Sequence, residues 1–232
     1  MNVVITGASK GIGKALAENF ARQGADLFLC SRNMDQTIHW QQVLMEQYNT
    51  SIMSYNADLG VEDEVREFGQ KVLEAFDTVD ILINNAGVFE PGSISDEPDG
   101  QLDKMMRVNF YSAYHLTRIL VPQMIKQKSG HIFNICSVAS LQAYPNGGSY
   151  SISKWALLGF SKNLREELKT HGIKVTAVHP GATLTGSWEG FNIEPSRIME
   201  ANDIAEMITA ASKLSRQACV EEIVLRPQLG DL

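Results

Sequence analysis

Tyr150-Ser151-Ile152-Ser153-Lys154 sets a phenol and an ammonium four residues apart. In a helix that spacing puts both on one face, with Cβ atoms about 6 Å apart. A phenol with an ordinary pKa of about 10 is a poor proton donor or acceptor at neutral pH. A fixed cation changes that. At about 5 Å and an effective dielectric of about 20, Lys154 would favour the phenolate by roughly 3 kcal/mol. That is about two pKa units, which brings Tyr150 toward the range of a general acid–base. Taken alone the pair carries little, because Tyr and Lys at helical spacing more often share a solvated face.

The run Val3-Val4-Ile5-Thr6-Gly7-Ala8-Ser9-Lys10-Gly11-Ile12-Gly13 reads as strand, tight turn and helix. Glycines in such a turn let backbone N–H groups approach a phosphate while the helix N-terminus faces its charge. The spacing is G-x-x-x-G-x-G rather than G-x-G-x-x-G, and no Gly-Lys-Ser/Thr is present, which disfavours a nucleoside triphosphate site. The bland alternative is an ordinary glycine-rich strand-to-helix turn.

Together these motifs resemble the short-chain dehydrogenase/reductase family along essentially the whole chain. Thr6, Gly7, Ser9, Lys10, Gly11, Ile12 and Gly13 match its cofactor loop. Asp58 and Leu59 match the residues at the adenine ring, and Asn84-Asn85-Ala86-Gly87 the motif after the fourth strand. Asn109, Ser137, Tyr150 and Lys154 match the catalytic tetrad. Pro180-Gly181 through Thr185 matches the nicotinamide-contacting segment, with Thr183 where an aliphatic residue is usual. The backbone N–H makes the expected contact at that position, so the departure should not impair activity.

The elements that must position these residues can be read from the same chain. Strand-like runs are expected at 2–6, 26–30, 51–57, 79–84, 130–137, 174–179 and 221–226. Helices intervene at about 11–23, 34–48, 61–76, 99–127 (broken near Asn109), 150–170 and 201–214. The alternation has no linker or repeat, so the expected fold is one α/β domain over 1–232, a Rossmann-type doubly wound parallel sheet of seven strands. The glycine loop, Asn84, Ser137 and Pro180-Gly181 all follow strand ends, where such a sheet binds ligands.

Composition removes other classes. Net charge −7 and a pI near 5.3 disfavour broad nucleic-acid binding. No apolar run approaches the ~20 residues of a membrane span. The first strand begins two residues from Met1, leaving no room for a secretory signal, so a cytoplasmic protein is expected. Cys30, Cys136 and Cys219 sit in apolar runs without Cys-x-x-Cys spacing, and read as buried thiols rather than disulfides or zinc ligands. The five histidines are scattered, so no metal site is expected.

The second strand ends in Ser31-Arg32, where an NAD site usually carries an acid that binds the ribose hydroxyls. With Lys10 in the glycine loop, a 2′-phosphate would meet two cations and no carboxylate, which favours NADP(H). The alternative is that both are solvated surface charges. By resemblance, the activity is reduction of a small-molecule carbonyl. Ser137 and Tyr150 would hold the oxygen, Tyr150 would give the proton, Lys154 would anchor the nicotinamide ribose, and Asn109 would hold a water that resupplies the proton. The expected substrate contacts are Ser137, Tyr144, Tyr150, Trp188 and Phe191, the last two on a binding loop at about 184–201. Val220-Glu221-Glu222-Ile223-Val224-Leu225-Arg226-Pro227 and the Trp188 region resemble sepiapterin-reductase-like members. The glycine loop and tetrad suit 3-oxoacyl-carrier-protein reductases equally, with Arg107 and Arg118 near the place where an acidic carrier would dock. A non-catalytic nucleotide sensor would have little need of the tetrad. Apolar residues run most of the way around the Tyr150 helix, including Trp155 and Leu158, so a homodimer or homotetramer is expected.

Overall fold

Val3, Val4 and Ile5 are all fully buried, yet they cannot all face one way. Successive strand side chains point to opposite sides, so Val3 and Ile5 enter one hydrophobic core and Val4 the other. Leu27 and Leu29 oppose Phe28 and Cys30 in the same manner, as Ile81 and Ile83 oppose Leu82. A parallel sheet covered on both faces buries both sets. The computed structural model, which describes residues 1–186 and 194–231, has that sheet.

Its strands are β1 (Asn2–Thr6), β2 (Asp26–Ser31), β3 (Ile52–Asn56), β4 (Ile81–Asn84), β5 (Gly130–Ile135), β6 (Ile173–Pro180) and β7 (Glu222–Leu225). They lie in the order β3-β2-β1-β4-β5-β6-β7, and every pairing is parallel. The order turns back between β1 and β4, which opens a crevice above their carboxyl ends. Helices α1 (Gly11–Ala21) and α2 (Ile38–Tyr48) cover one face; α3 (Glu62–Ala75) covers the other. The chain then runs through α4 (Gln101–Met106), α5 (Ser112–Gln127), α6 (Gly148–Leu168) and α7 (Ala201–Ser212). Helices α5 and α6 join the α3 side, whereas α7 packs beside α1. Among the described residues no helix is long and apolar enough to cross a membrane.

The long helix expected over 99–127 is broken where the sequence places Asn109. Arg107–Tyr111 form a π-helical turn between α4 and α5, a local widening of the kind that often marks a functional position. Strands β4 and β5 stop in the same way. Asn85 N–H donates to Ile83 O at 3.1 Å and Cys136 N–H to Asn134 O at 3.0 Å. Each bond spans two residues, a tight turn found at strand ends. That turn lifts Ser137 out of the sheet, so β5 ends two residues before the expected limit of 137.

Two expectations need correction. Cys30 and Cys136 are buried, but Cys219 is only half-buried, because it precedes β7 rather than lying in it. Leu158 is 5% exposed inside its own chain's core, against Cys136, Leu157 and Ala177. It therefore offers nothing to a partner. Trp155 and Ile152, also on α6, are 48% and 41% exposed.

His131 in β5 gives the fold a dependence on pH. Thr176 Oγ1 donates to the Val220 carbonyl, so the His131 Nε2–H donates to Thr176 Oγ1, at 2.7 Å. Nδ1 is buried without a partner among the described residues, and burial, aided by Lys174, pushes the imidazole pKa down to about 3. An unfolded histidine takes up a proton near pH 6.5. As pH falls from about 6.5 toward 3 the unfolded chain binds a proton that the folded one refuses, so stability declines through that window. From this group alone the loss at pH 5 should be about 2 kcal/mol. Urea unfolding at pH 7.5 and 5 checks it: His131→Gln keeps a donor for Thr176 but cannot titrate, and should flatten the decline. An equal decline in both proteins would exclude His131 as its source.

Candidate active site

Above the carboxyl ends of β1, β4, β5 and β6 lies a cavity of about 710 Å³, within the usual range of ligand sites, about 300–1,000 Å³. Gly7, Ser9, Lys10, Gly11, Ile12, Ser31, Arg32, Asp58 and Leu59 line one end. Asn85, Ala86, Gly87, Ser137, Tyr144, Tyr150, Lys154, Pro180, Gly181, Thr183 and Thr185 line the rest. Thr6, Gly13 and Asn109 are buried behind the wall rather than lining it. Trp188 and Phe191 lie outside the described residues.

The glycine loop is shaped by interlock with the loop after β4. Thr6 Oγ1 accepts the N–H groups of Asn85 and Ala86, each at 2.9 Å. Asn85 Nδ2 answers by donating to Thr6 O at 2.8 Å and Gly7 O at 3.1 Å. A Cβ on Gly13 would stand 2.3 Å from Gly7 O and 2.6 Å from Asn85 Nδ2, so no side chain fits there. Gly7 adopts φ +65°, which favours glycine, and its missing Cβ admits Ala86 at 2.9 Å. What remains is a backbone cradle opening on the N-terminus of α1. The first N–H groups of a helix have no intrahelical acceptor, and they favour an anion. The residues present fit a pyrophosphate.

At the far end of the cradle, Ser31 Oγ donates to Met34 Sδ at 3.0 Å and accepts Asn33 N–H at 3.4 Å. Arg32 and Lys10 are exposed at the cavity rim. Asp58 Oδ1 accepts Gly60 N–H at 2.9 Å, and its own N–H donates to Glu64 Oε2 at 2.6 Å, which fixes the bend after β3.

At the other end, α6 brings Tyr150 and Lys154 beneath Ser137. The Phe89 ring meets Tyr150 edge-on at 4.8 Å. Lys154 Nζ donates to Ile135 O at 2.7 Å and stands 5.9 Å from the centre of the Tyr150 ring. The helix-face argument expects Lys154 to lower the phenol pKa, and the structure corrects it. Burial pushes Tyr150 up to about 12, only partly offset by its hydrogen bond with Ser137. The same burial brings Lys154 down to about 8. Desolvation is the largest influence on both groups and favours the neutral form of each. Tyr150 is therefore a neutral phenol at pH 7, the form that donates a proton.

Asn109 acts on this group from behind. Its Oδ1 accepts Val88 N–H at 2.8 Å, and its Nδ2 donates to Val88 O at 3.1 Å and Ser153 Oγ at 2.9 Å. Ser153 Oγ in turn donates to Tyr150 O at 2.7 Å. With the side chain so engaged, a water at Asn109 would have to use its main-chain carbonyl.

The short chain dehydrogenase family model matches residues 1–195. This chain belongs to the short-chain dehydrogenase family. An uncharacterised oxidoreductase of Staphylococcus epidermidis is 32% identical over 97% of this chain and 96% of its own. Among solved structures, an alcohol dehydrogenase from the archaeon Thermococcus sibiricus, complexed with 5-hydroxy-NADP, superposes with a TM-score of 0.92 at 28% identity, covering 98% of this chain and 96% of that one. L-Sorbose reductase from Gluconobacter frateurii, complexed with NADPH and L-sorbose, gives 0.89 at 26% identity, covering 97% and 95%.

Several parts of this short-chain dehydrogenase site escape the sequence motifs. Asn33, Gln36, Val88, Phe89, Val138, Gln142 and Asp231 also line the cavity. Phe89 lies two residues past Gly87 and Val138 directly after Ser137, so neighbourhood to a motif was a usable signal for those two. Asp231 had none: it reaches the cavity beside Gly181 through an ion pair with Arg226. Glu97 had none either. Its carboxylate accepts the N–H of Ser149 at 3.1 Å and the Ser149 hydroxyl, capping the helix that carries Tyr150 from 52 residues away.

Proposed function

We propose that this short-chain dehydrogenase is an NADP(H)-dependent carbonyl reductase acting on a small ketone or dicarbonyl. One observation carries the reading. A single cavity joins Lys10, Arg32 and an uncharged Ser31 at one end to Ser137, Tyr150 and Lys154 at the other. The first set suits a phosphorylated adenosine ribose, the second a carbonyl oxygen. The NADP and NADPH complexes of the two solved relatives support the cofactor.

When bound, the cofactor supplies the hydride that reduces the carbonyl carbon. Ser137 Oγ already accepts Ala139 N–H at 3.1 Å, which turns its own proton toward Tyr150 and the substrate oxygen. That donor stabilises negative charge as it develops on oxygen. Tyr150 transfers its phenolic proton to the same oxygen, and the Lys154 ammonium stabilises the phenolate left behind. Asn109 and Ser153 hold the first turn of α6 in place during the transfer.

Val88, Phe89, Val138, Ala139 and Tyr144 supply an apolar, partly aromatic wall beside Tyr150, suited to a flat or conjugated carbonyl compound. Past the Pro180-Gly181 turn, the connection at 184–201 is tied at its base: Leu184 N–H donates to Met199 O at 2.8 Å and Met199 N–H to Ala182 O at 3.1 Å. We assign it the role of a substrate-binding loop. The two arginines that would meet an acidic carrier protein are engaged elsewhere. Arg107 pairs with Asp103 at 2.8 Å, and Arg118 stacks over Tyr114 at 5.3 Å. That favours a small free substrate, sepiapterin-like in its flatness, over a carrier-bound 3-oxoacyl thioester. Trp155 and Ile152 on α6, with the 42%-exposed Tyr111 at the end of the π-helical turn before α5, offer apolar surface for a homodimer or homotetramer.

Loss of NADPH absorbance over a panel of aromatic α-dicarbonyls, sepiapterin, small ketoses and acetoacetyl thioesters tests the reading, with light scattering on the same preparation for its mass. The dicarbonyls or sepiapterin should give the highest kcat/KM. Higher kcat/KM with acetoacetyl thioesters would make it a 3-oxoacyl reductase, and no turnover with any carbonyl would favour a nucleotide sensor.

A further inference from the structure

His179, the penultimate residue of β6, is fully buried directly behind Ser137. Its Nδ1 lies 3.0 Å from Ser140 Oγ and 3.2 Å from Ser137 O. A carbonyl oxygen only accepts, so Nδ1 carries the hydrogen. Ser140, also fully buried, completes the tie: its hydroxyl donates to Ser137 O and accepts Ser137 N–H at 3.4 Å. The main chain of Ser137 is thereby held at both its N–H and its carbonyl, while its Oγ is held by Ala139 N–H.

The other ring nitrogen looks the opposite way. Among the described residues Nε2 has no hydrogen-bond partner, and it stands 3.4 Å from Glu222 Oε2 on β7. Glu222 also pairs with Lys162 of α6 at 3.1 Å, and these two are the charged groups acting on the ring. From the end of β5 the nearby Cys136 thiol is uncharged, pushed up to about 12 by burial. Burial also lowers the imidazole pKa, so the neutral ring keeps its one proton on Nδ1.

We infer that His179 is a positioning residue for the reduction: its Nδ1–H holds the Ser137 carbonyl and the Ser140 hydroxyl, and so fixes the direction in which Ser137 offers its own hydroxyl to the substrate. The inference rests on the carbonyl-reductase reading and adds to it a residue that touches neither substrate nor cofactor. A ring that merely filled space would be replaceable by another side chain of similar bulk. One that orients Ser137 is replaceable only by another correctly placed N–H.

The test sets those two properties against each other. His179→Leu keeps bulk and loses the donor; His179→Asn loses bulk but places an amide N–H close to the position of Nδ1. The Leu variant should lose about tenfold or more in kcat, the scale of one hydrogen bond, with KM and NADPH affinity unchanged. Asn should restore most of the lost kcat. Full activity in Leu, or Asn no better than Leu, overturns the proposal. Should Leu fail to fold, Ser140→Ala removes the arm of the tie that runs through the Ser140 hydroxyl, leaving His179 Nδ1–H on Ser137 O, and should show a smaller loss, in kcat alone; wild-type kcat there overturns the proposal. A readout independent of turnover is the ¹⁵N spectrum of histidine-labelled protein, which should show His179 protonated at Nδ1 at neutral pH; an Nε2–H tautomer would refute the anchoring. Wild-type protein that reduces no carbonyl defeats the reductase reading itself, whereas active wild type with an unimpaired Leu variant defeats only the role of His179.

Discussion

Tyr150→Phe should lower kcat by about 10²–10⁴-fold, the range of a lost general acid, while NADPH binds as before. The substitution is narrow in its effect. Phe keeps the ring, and with it the edge-on contact to Phe89 at 4.8 Å, so the wall of the cavity is unchanged. What disappears is a proton held ready. Because burial raises the phenol to about 12, Tyr150 is fully protonated at neutral pH. Single-turnover absorbance loss on mixing NADPH-loaded protein with the preferred carbonyl measures the step directly, and fluorescence titration measures cofactor affinity. A Phe variant retaining more than about a tenth of the rate would remove Tyr150 from acid–base chemistry.

Ser31→Asp with Arg32→Ala should reverse the cofactor ranking in kcat/KM from NADPH to NADH. Hydrogen bonds to charged groups contribute about 1.5–3 kcal/mol, so losing Arg32 alone should weaken NADPH by roughly 10- to 150-fold. The new carboxylate adds repulsion of the 2′-phosphate and a new acceptor for ribose hydroxyls. Asp is also tolerable at the site, because it can accept the Asn33 N–H that Ser31 accepts now, at 3.4 Å. Wild-type protein that prefers NADH would refute the phosphate-site assignment outright.

These two predictions differ in how legible their basis was. Ser31, Arg32 and Lys10 lie at the end of a strand and inside a glycine loop, and local pattern places both features on the same edge of a parallel sheet. Tyr150 and Lys154 are equally plain at helical spacing, yet the phenol is raised rather than lowered. Spacing along a helix gives the distance between two groups but nothing about the solvent removed from each. Packing around Tyr150, including the Phe89 ring, decides that, and burial raises the phenol.

By itself the sequence determined the sheet. Runs such as Val3-Val4-Ile5 and Ile81-Leu82-Ile83 are apolar on both sides and short, so only strands between two helical layers can bury them. It also pointed to the strand ends as the place for chemistry, since the glycine loop, Asn84, Ser137 and Pro180-Gly181 all stand there. Tertiary structure decided what stands behind the motifs. Glu97 capping α6 across 52 residues, and His179 beneath Ser137 across 42, leave no periodic trace because each uses one side chain at one point. Periodicity records surfaces that are buried repeatedly along an element; a single hydrogen bond between distant segments exists only once the sheet has brought their ends together.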